Sequence, residues 1–388
     1  MAKIRLGMIG IGNMGTPVLG YILKDKQCPE IEVAALCDVN EKRLEWAKSA
    51  YPNDNFAVFT DAEEMMKSGL VDAVYIAVPH YDHPVLAMKA FSYGLHVILE
   101  KPAGVYTKAV REMNEAAKKA GVKFGIMFQS RTSAAYQEAK RMLDSGELGQ
   151  LRGVTWQVTK WYRTQAYYDS GSWRATWAGE GGGVLLNQCP HNLDILQWLC
   201  GMPVSIHATC SVAQWHNVEI EDDVIATMKF ANGAQGAFIT STGIHPGTNR
   251  LEISTDMGNI IIDINEHGTE MTVRRLSKSL ADMAADETDR PVITTIKYDF
   301  PKPKLIAHSI VLNAFAGAIL RGTPMIANGE EGINSLTLSN AMYLSDWTGQ
   351  RITLPMDEDL FLEELNKRRA TSKHKQVEAV YADASRIF

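Results

Sequence analysis

The chain has 388 residues, too many for one ordinary core and enough for two domains of roughly 150 to 200 residues each. Hydrophobic residues make up 46% and charged residues 22%, the balance of a packed globular protein, which excludes a disordered or fibrous one. A net charge of −6 lacks the basic footprint of a nucleic-acid binder, and no segment approaches the ~20 apolar residues that cross a membrane.

The run from Met1 to Gly7 is broken by glycine before it could serve as a signal segment, so a cytoplasmic location is expected. Cys28, Cys37, Cys189, Cys200 and Cys210 are odd in number and include no CxxC pair, which argues for reduced thiols.

Ile4 to Ile9 reads as a strand, followed by Gly10-Ile11-Gly12-Asn13-Met14-Gly15 and a helical stretch from Thr16 to Lys24. Glu32 to Cys37 is a second strand ending at Asp38, and residues 41 to 50 form a helix. Ala73 to Val78 is an apolar strand closed by Pro79, and His83 to Gly94 is a helix ended by glycine. His96 to Leu99, a helix over 107 to 120 and Val122 to Met127 complete the alternation. Continuously apolar strands alternating with helices predict a parallel sheet covered on both faces, a Rossmann-like domain over residues 1–127.

A GxGxxG pattern alone is a weak signal that fits any flexible turn. Here it follows a strand, opens a helix and precedes an acid at the end of the second strand, as dinucleotide binding requires. A carboxylate at Asp38 would bond the ribose hydroxyls and repel a 2′-phosphate, favouring NAD over NADP. Its other reading is a cap for the helix at 41 to 50.

After residue 128 a helix from Ala134 to Leu143 gives way to strands at Arg152 to Trp161, Val204 to Ala213, Asp223 to Ala231, Ala234 to Thr242, Arg250 to Ser254 and Asn259 to Ile264. Asn232-Gly233 is a hairpin signal. Residues 128–368 are therefore expected to form an α/β domain around a large, mostly antiparallel open sheet, with helices such as 191 to 200 on one face. The other face suits a second subunit, so a homo-oligomer, dimer or tetramer, is expected. The stretch 369–388 is a charged tail with an apolar end.

Three sets of residues can carry chemistry. Glu100-Lys101-Pro102 follows a strand at the carboxyl edge of the sheet, where a lysine can polarise a substrate hydroxyl or simply end the strand at the surface. Gly181-Gly182-Gly183 leads into Asn187 and His191, which share a face if they lie on one helical turn; the glycines would let backbone crowd a ligand. His191 is either a general base or a satisfied structural ring, and a zinc site of Cys189, His191 and Asp194 has unsuitable spacing. Trp161, Tyr162, Arg163, Tyr167, Tyr168, Trp173 and Arg174 suit a sugar ring, or are core rings with paired arginines.

These motifs in this order resemble the Gfo/Idh/MocA oxidoreductase family, along nearly the whole chain: Gly10 to Gly15, Val78-Pro79 to His83, Glu100-Lys101-Pro102, Trp173-Arg174, Gly181 to Asp194, and Gly329-Glu330-Glu331-Gly332 before a helix reaching Gly349. The resemblance implies a Rossmann domain holding NAD(P) and a sheet domain that often mediates oligomerisation. It implies that Lys101 contacts the substrate hydroxyl and the nicotinamide region, and that His191 is the acid/base. Many relatives carry aspartate where this chain has Asn187, and an amide cannot accept a proton. The expected cofactor set is Gly10, Gly12, Asn13, Met14, Gly15, Asp38, Val78, Pro79, His83, Glu100, Lys101, Gln129, Trp173 and Arg174. The expected substrate set is Lys101, Tyr162, Arg163, Tyr167, Trp173, Asn187, His191 and His245, with Lys101, Asn187 and His191 catalytic.

The function expected is NAD-dependent oxidation or reduction of a secondary hydroxyl on a sugar, glycoside or cyclitol. The alternative is a glycosidase that oxidises transiently, eliminates and recycles NAD, with Tyr162, Tyr167 or Tyr168 as extra acids or bases.

Overall fold

The structure is a computed structural model that describes residues 2–266, 268–284, 290–301 and 303–373. The first domain alternates β1 (Ile4–Ile9), α1 (Gly15–Leu23), β2 (Ile31–Cys37), α2 (Glu41–Ala50), β3 (Ala57–Phe59), α3 (Ala62–Lys67), β4 (Ala73–Ile76), α4 (Asp82–Ser92), β5 (His96–Leu99), α5 (Thr107–Ala120) and β6 (Phe124–Ile126). The strands pair in parallel in the order β3-β2-β1-β4-β5-β6. The order reverses beside β1, which opens a crevice between the carboxyl ends of β1 and β4. β4 is buried at every residue, as a strand with helices on both faces must be.

The second domain begins with α6 (Ala134–Asp144) and β7 (Leu151–Val158), then runs through α7 (Gln165–Tyr168), α8 (Pro190–Cys200), β8 (Ser205–Val212), β9 (Glu221–Lys229), β10 (Gln235–Ser241), β11 (Asn249–Thr255), β12 (Gly258–Asn265), β13 (Gly268–Leu276), α9 (Leu280–Ala284) and β14 (Ile293–Tyr298). It closes with α10 (Ala307–Arg321), α11 (Gly332–Thr348), β15 (Ile352–Thr353) and α12 (Glu358–Ala370). The nine strands form one sheet, antiparallel except where β7 and β10 run in parallel. Asn232-Gly233 turns β9 into β10, with Gly233 at φ +89°.

Alternation decides the faces of this sheet. In β9, Val224, Ala226 and Met228 are buried while Ile225, Thr227 and Lys229 are exposed. On the buried face Trp156 and Phe238 pack in the core, covered by α6, α8 and α11.

Two features tie the domains together. Helix α10 returns to the first domain, where Val311, Leu312, Phe315 and Ala316 share a core with Ile4, Leu6, Val18 and Leu19. Arg131, just past β6, makes two bonds to Asp194 of α8 (2.7 and 2.8 Å) and one to Glu331 (2.6 Å). Asp194 is therefore committed to a buried guanidinium, not to a metal. Cys189 meets Thr240 Oγ1 at 3.1 Å, and no cluster of three metal-binding side chains occurs among the described residues. The expected tail at 369–388 starts inside α12, and 374–388 lie outside the described residues.

Candidate active site

The loop after β1 shows why each glycine stands where it does. Gly10 has φ +87°, and a Cβ there would lie 2.3 Å from the Ala77 oxygen; one at Gly15 would lie 2.1 Å from the Gly10 oxygen. Backbone packing demands both. A Cβ at Gly12 would meet no protein atom within 4 Å. Glycine is needed there only if something outside the protein approaches the backbone, which is the pyrophosphate's place in this motif.

Asp38 accepts from the Ile11 amide and from the Asn40 amide, each at 2.9 Å. The cap of α2 is Asn40, whose side chain accepts from Lys42 N, so the carboxylate of Asp38 faces the glycine loop instead. Arg43 donates to the Ile11 oxygen and lies over Trp46, bracing the same loop.

Buried polar atoms without a partner cost about 1–3 kcal/mol each, so a group of them marks where a ligand bonds. Asn13 Oδ1, Gln129 Oε1, both ring nitrogens of His191 and Nε2 of His308 are such atoms, alongside others on Thr107, Asn114, Arg163, Gln188, Arg275 and Ser309. Those of Asn13, Gln129, His191 and His308 come from the loop opening α1, the turn after β6, and the first turns of α8 and α10. A dinucleotide held by these residues would set its phosphates at Gly12 and the start of α1 and turn its nicotinamide end toward Lys101 and His191.

Lys101 stands just past β5, before a cis peptide to Pro102. Its Nζ donates to the backbone oxygen of Asn187 at 3.0 Å, across the domain boundary. Burial pulls its pKa below the usual lysine value, opposed by the charge of Glu100. Glu100 itself is buried, accepts from Tyr75 OH at 2.7 Å, and has its pKa raised by that burial. His191 is held well below pKa 6.5, first by burial and then by the charges of Lys101 and His308. It is a neutral ring with both nitrogens open.

Asn187 and His191 do not share one helical turn. Asn187 lies inside a turn of π-helix over Val184–Gln188, and His191 lies in the first turn of α8 beyond Pro190. The three glycines before them crowd protein rather than ligand: a Cβ at Gly181 would meet Val105 at 2.4 Å, at Gly182 Tyr343 OH at 2.3 Å, and at Gly183 the Glu221 backbone oxygen. Their tight packing seats the π-turn, whose Gly183 and Leu185 amides are held by buried Glu221 at 2.8 and 2.9 Å.

The remaining expected residues divide. Tyr167 OH receives Arg174 Nη1 at 2.8 Å and Gln188 Nε2 at 3.2 Å, and the guanidiniums of Arg163 and Arg174 lie over its ring. Trp173 sets its ring edge-on to His80 at 5.5 Å. His83 places its ring nitrogens 2.7 Å from the Pro102 oxygen and 2.9 Å from the Val78 oxygen. A neutral ring can donate to only one of these oxygens, so His83 is a buried ring anchored to crevice backbone through a single bond. Tyr162 and His245 are exposed, 5.4 Å apart ring to ring, and no hydrogen bond joins them to Lys101 or His191 among the described residues.

Glu180, His80 and His308 were not singled out in the sequence. Glu180 is 1% exposed and receives the Asn187 side chain. Buried His80 sits 3.0 Å from the Glu180 backbone oxygen. The only signal for Glu180 was an acid directly before three glycines.

Residues 4–128 match the model described as "Oxidoreductase family, NAD-binding Rossmann fold", and residues 136–261 match the "GFO/IDH/MocA C-terminal domain". The chain belongs to the Gfo/Idh/MocA oxidoreductase family. It is thus an oxidoreductase, and its coenzyme is NAD. Among curated relatives, a 1-carboxy-3-chloro-3,4-dihydroxycyclohexa-1,5-diene dehydrogenase of Comamonas testosteroni is 29% identical over 70% of this chain, an alignment spanning 64% of that relative. A 1,5-anhydro-D-fructose reductase of Ensifer adhaerens is 26% identical over 89% of this chain and 97% of its own length. The WlbA dehydrogenase of Bordetella pertussis, solved with NADH and UDP-GlcNAcA, superposes with a TM-score of 0.75 at 27% identity over 92% of this chain and all of the other.

Proposed function

We propose that this Gfo/Idh/MocA oxidoreductase oxidises, or in reverse forms, a secondary hydroxyl on a sugar, glycoside or cyclitol. The observation that carries the reading is His191, a half-buried neutral ring whose two nitrogens are buried and unpartnered, within the field of the Lys101 ammonium. NAD, when bound, takes up the hydride leaving the carbinol carbon. Gly12, Asn13 and Asp38 would hold it at the phosphate and ribose end, and Asp38 favours it over NADP by repelling a 2′-phosphate.

Lys101 donates to the substrate hydroxyl and stabilises the negative charge that grows on its oxygen. An open nitrogen of His191 takes the proton. Both act more strongly on the developing alkoxide than on the alcohol, which lowers the barrier rather than merely tightening binding. The rings of Tyr167 and Trp173, with Arg163 and Arg174, support a polar ring substrate. Relatives named for a cyclic diol, an anhydro sugar and a nucleotide-linked sugar complex agree with that class. Of the phenols that the transient-oxidation glycosidase route would use, Tyr167 is engaged by Arg174 and Tyr168 by Thr242 at 2.8 Å, while Tyr162 is exposed and has no hydrogen bond to Lys101 or His191 among the described residues. The outer face of the second sheet, where Ile225 is 55% exposed between half-buried neighbours such as Ile239, is read as the contact with a second copy.

The test is a panel of cyclitols, 1,5-anhydro sugars, glycosides and sugar nucleotides with NAD and NADP, following NADH and product mass. Lys101→Met and His191→Asn should each lower turnover on the order of 10²–10⁴-fold while NADH still binds. Unchanged turnover in either variant refutes the assigned role, and aglycone release without net NADH replaces the dehydrogenase with the glycosidase.

A further inference from the structure

Asn187 sits between a cation and a carboxylate. Lys101 Nζ bonds its backbone oxygen at 3.0 Å, while its side-chain Nδ2 donates to Glu180 Oε1 and, at 3.4 Å, to Tyr167 OH. A carboxylate can only accept, so the amide nitrogen must face Glu180. Both amide hydrogens are then used, and Oδ1 carries no hydrogen bond among the described residues.

Glu180 is far more than a loop acid. It is 1% exposed, its Oε2 accepts from the Ala175 amide at 2.7 Å, and Arg174 Nη1 stands 3.7 Å from Oε1. Anchoring the turn uses one oxygen. The other is directed at Asn187.

We propose that Glu180 is the positioning residue of this site: it supplies from behind the anionic character that position 187 lacks, fixing Asn187 so that Oδ1 accepts the substrate hydroxyl opposite Lys101. The proposal rests on the functional reading above for the word substrate, and on the geometry alone for the pairing. Its consequence is exclusivity. Residues 180 and 187 touch, so the pair accommodates a single carboxylate.

In Asn187→Asp two carboxyl groups in contact must share a proton. The groups facing the pair are Arg174, Tyr167 and Tyr168 from the second domain and Lys101 and His80 from the first. A carboxyl whose folded pKa is raised above its unfolded value has its stability intact below about pH 4 and loses it as pH rises toward the folded pKa. Relative to wild type, Asn187→Asp therefore weakens on going from pH 5 to pH 8.

Thermal unfolding of the full chain, with no polyol present, measures this for wild type, N187D, E180Q and N187D/E180Q. The gap between wild type and N187D should widen by about 2–4 °C from pH 5 to pH 8 and close in the double variant, which again holds one carboxylate. With the substrate found in the panel, E180Q should lower kcat on the order of 10-fold or more at unchanged NADH affinity, and N187D/E180Q should recover most of it. A pH-independent gap for N187D, or a double variant as impaired as E180Q, overturns the proposal. Failure of every panel compound overturns the functional reading and leaves the unfolding result to decide the Glu180 pairing.

Discussion

Gly12→Ala separates coenzyme binding from folding more cleanly than any other single change in the loop. A methyl at Gly12 has no protein atom within 4 Å, and its φ is outside the left-handed region, so the fold should tolerate it with little change in unfolding midpoint. The same methyl stands between backbone and pyrophosphate. Pushing the phosphates back by about 1 Å forfeits charge-assisted bonds worth about 1.5–3 kcal/mol, which is roughly a 10- to 100-fold rise in the NADH dissociation constant. Gly15→Ala gives the opposite signature, because its Cβ would lie 2.1 Å from the Gly10 oxygen and helix α1 must shift off β1, costing about 1–3 kcal/mol of stability. NADH fluorescence titration and denaturant unfolding on the two variants read both quantities. If Gly12→Ala binds NADH like wild type, or destabilises as much as Gly15→Ala, the assignment of the loop is refuted.

Burial holds His83 down to about pKa 4 against 6.5. A base with a depressed folded pKa adds stability that is present above pH 6.5 and lost as pH falls toward 4, about 2 kcal/mol of it between pH 7 and pH 5. His83→Gln should be weaker at pH 7 but lose less on acidification by that amount; identical pH slopes in denaturant melts would refute a buried, neutral His83. The outer sheet face predicts that light scattering finds a dimer or tetramer and that Ile225→Glu shifts it toward monomer. A monomeric wild type removes that interface.

The sequence signalled what depends on spacing and left out what depends on depth. Gly10, Gly12 and Gly15 were legible because strand, turn and helix each leave a local mark, and so was Lys101 at the end of a strand. Glu180 was not, since an acid before glycines looks like any solvated turn until 1% exposure is known. The triple glycine was legible as crowding but not as to what it crowds. The π-turn broke the shared-face expectation for Asn187 and His191, because an extra residue per turn leaves no trace in composition. Helix α10 escaped the periodic reading because Ala307–Arg321 is apolar over most of its circumference, as a helix packed deep against a sheet domain is.

That packing also sets an order of assembly. The glycine loop is made early, yet the apolar surface formed by Ile4, Leu6, Val18 and Leu19 is completed only by Val311, Leu312 and Phe315. At ordinary synthesis rates that is about 15–60 s later. A fragment cut at residue 127 would carry the whole fingerprint and still expose a bare hydrophobic slab. The dinucleotide module of this chain is thus not a transplantable part.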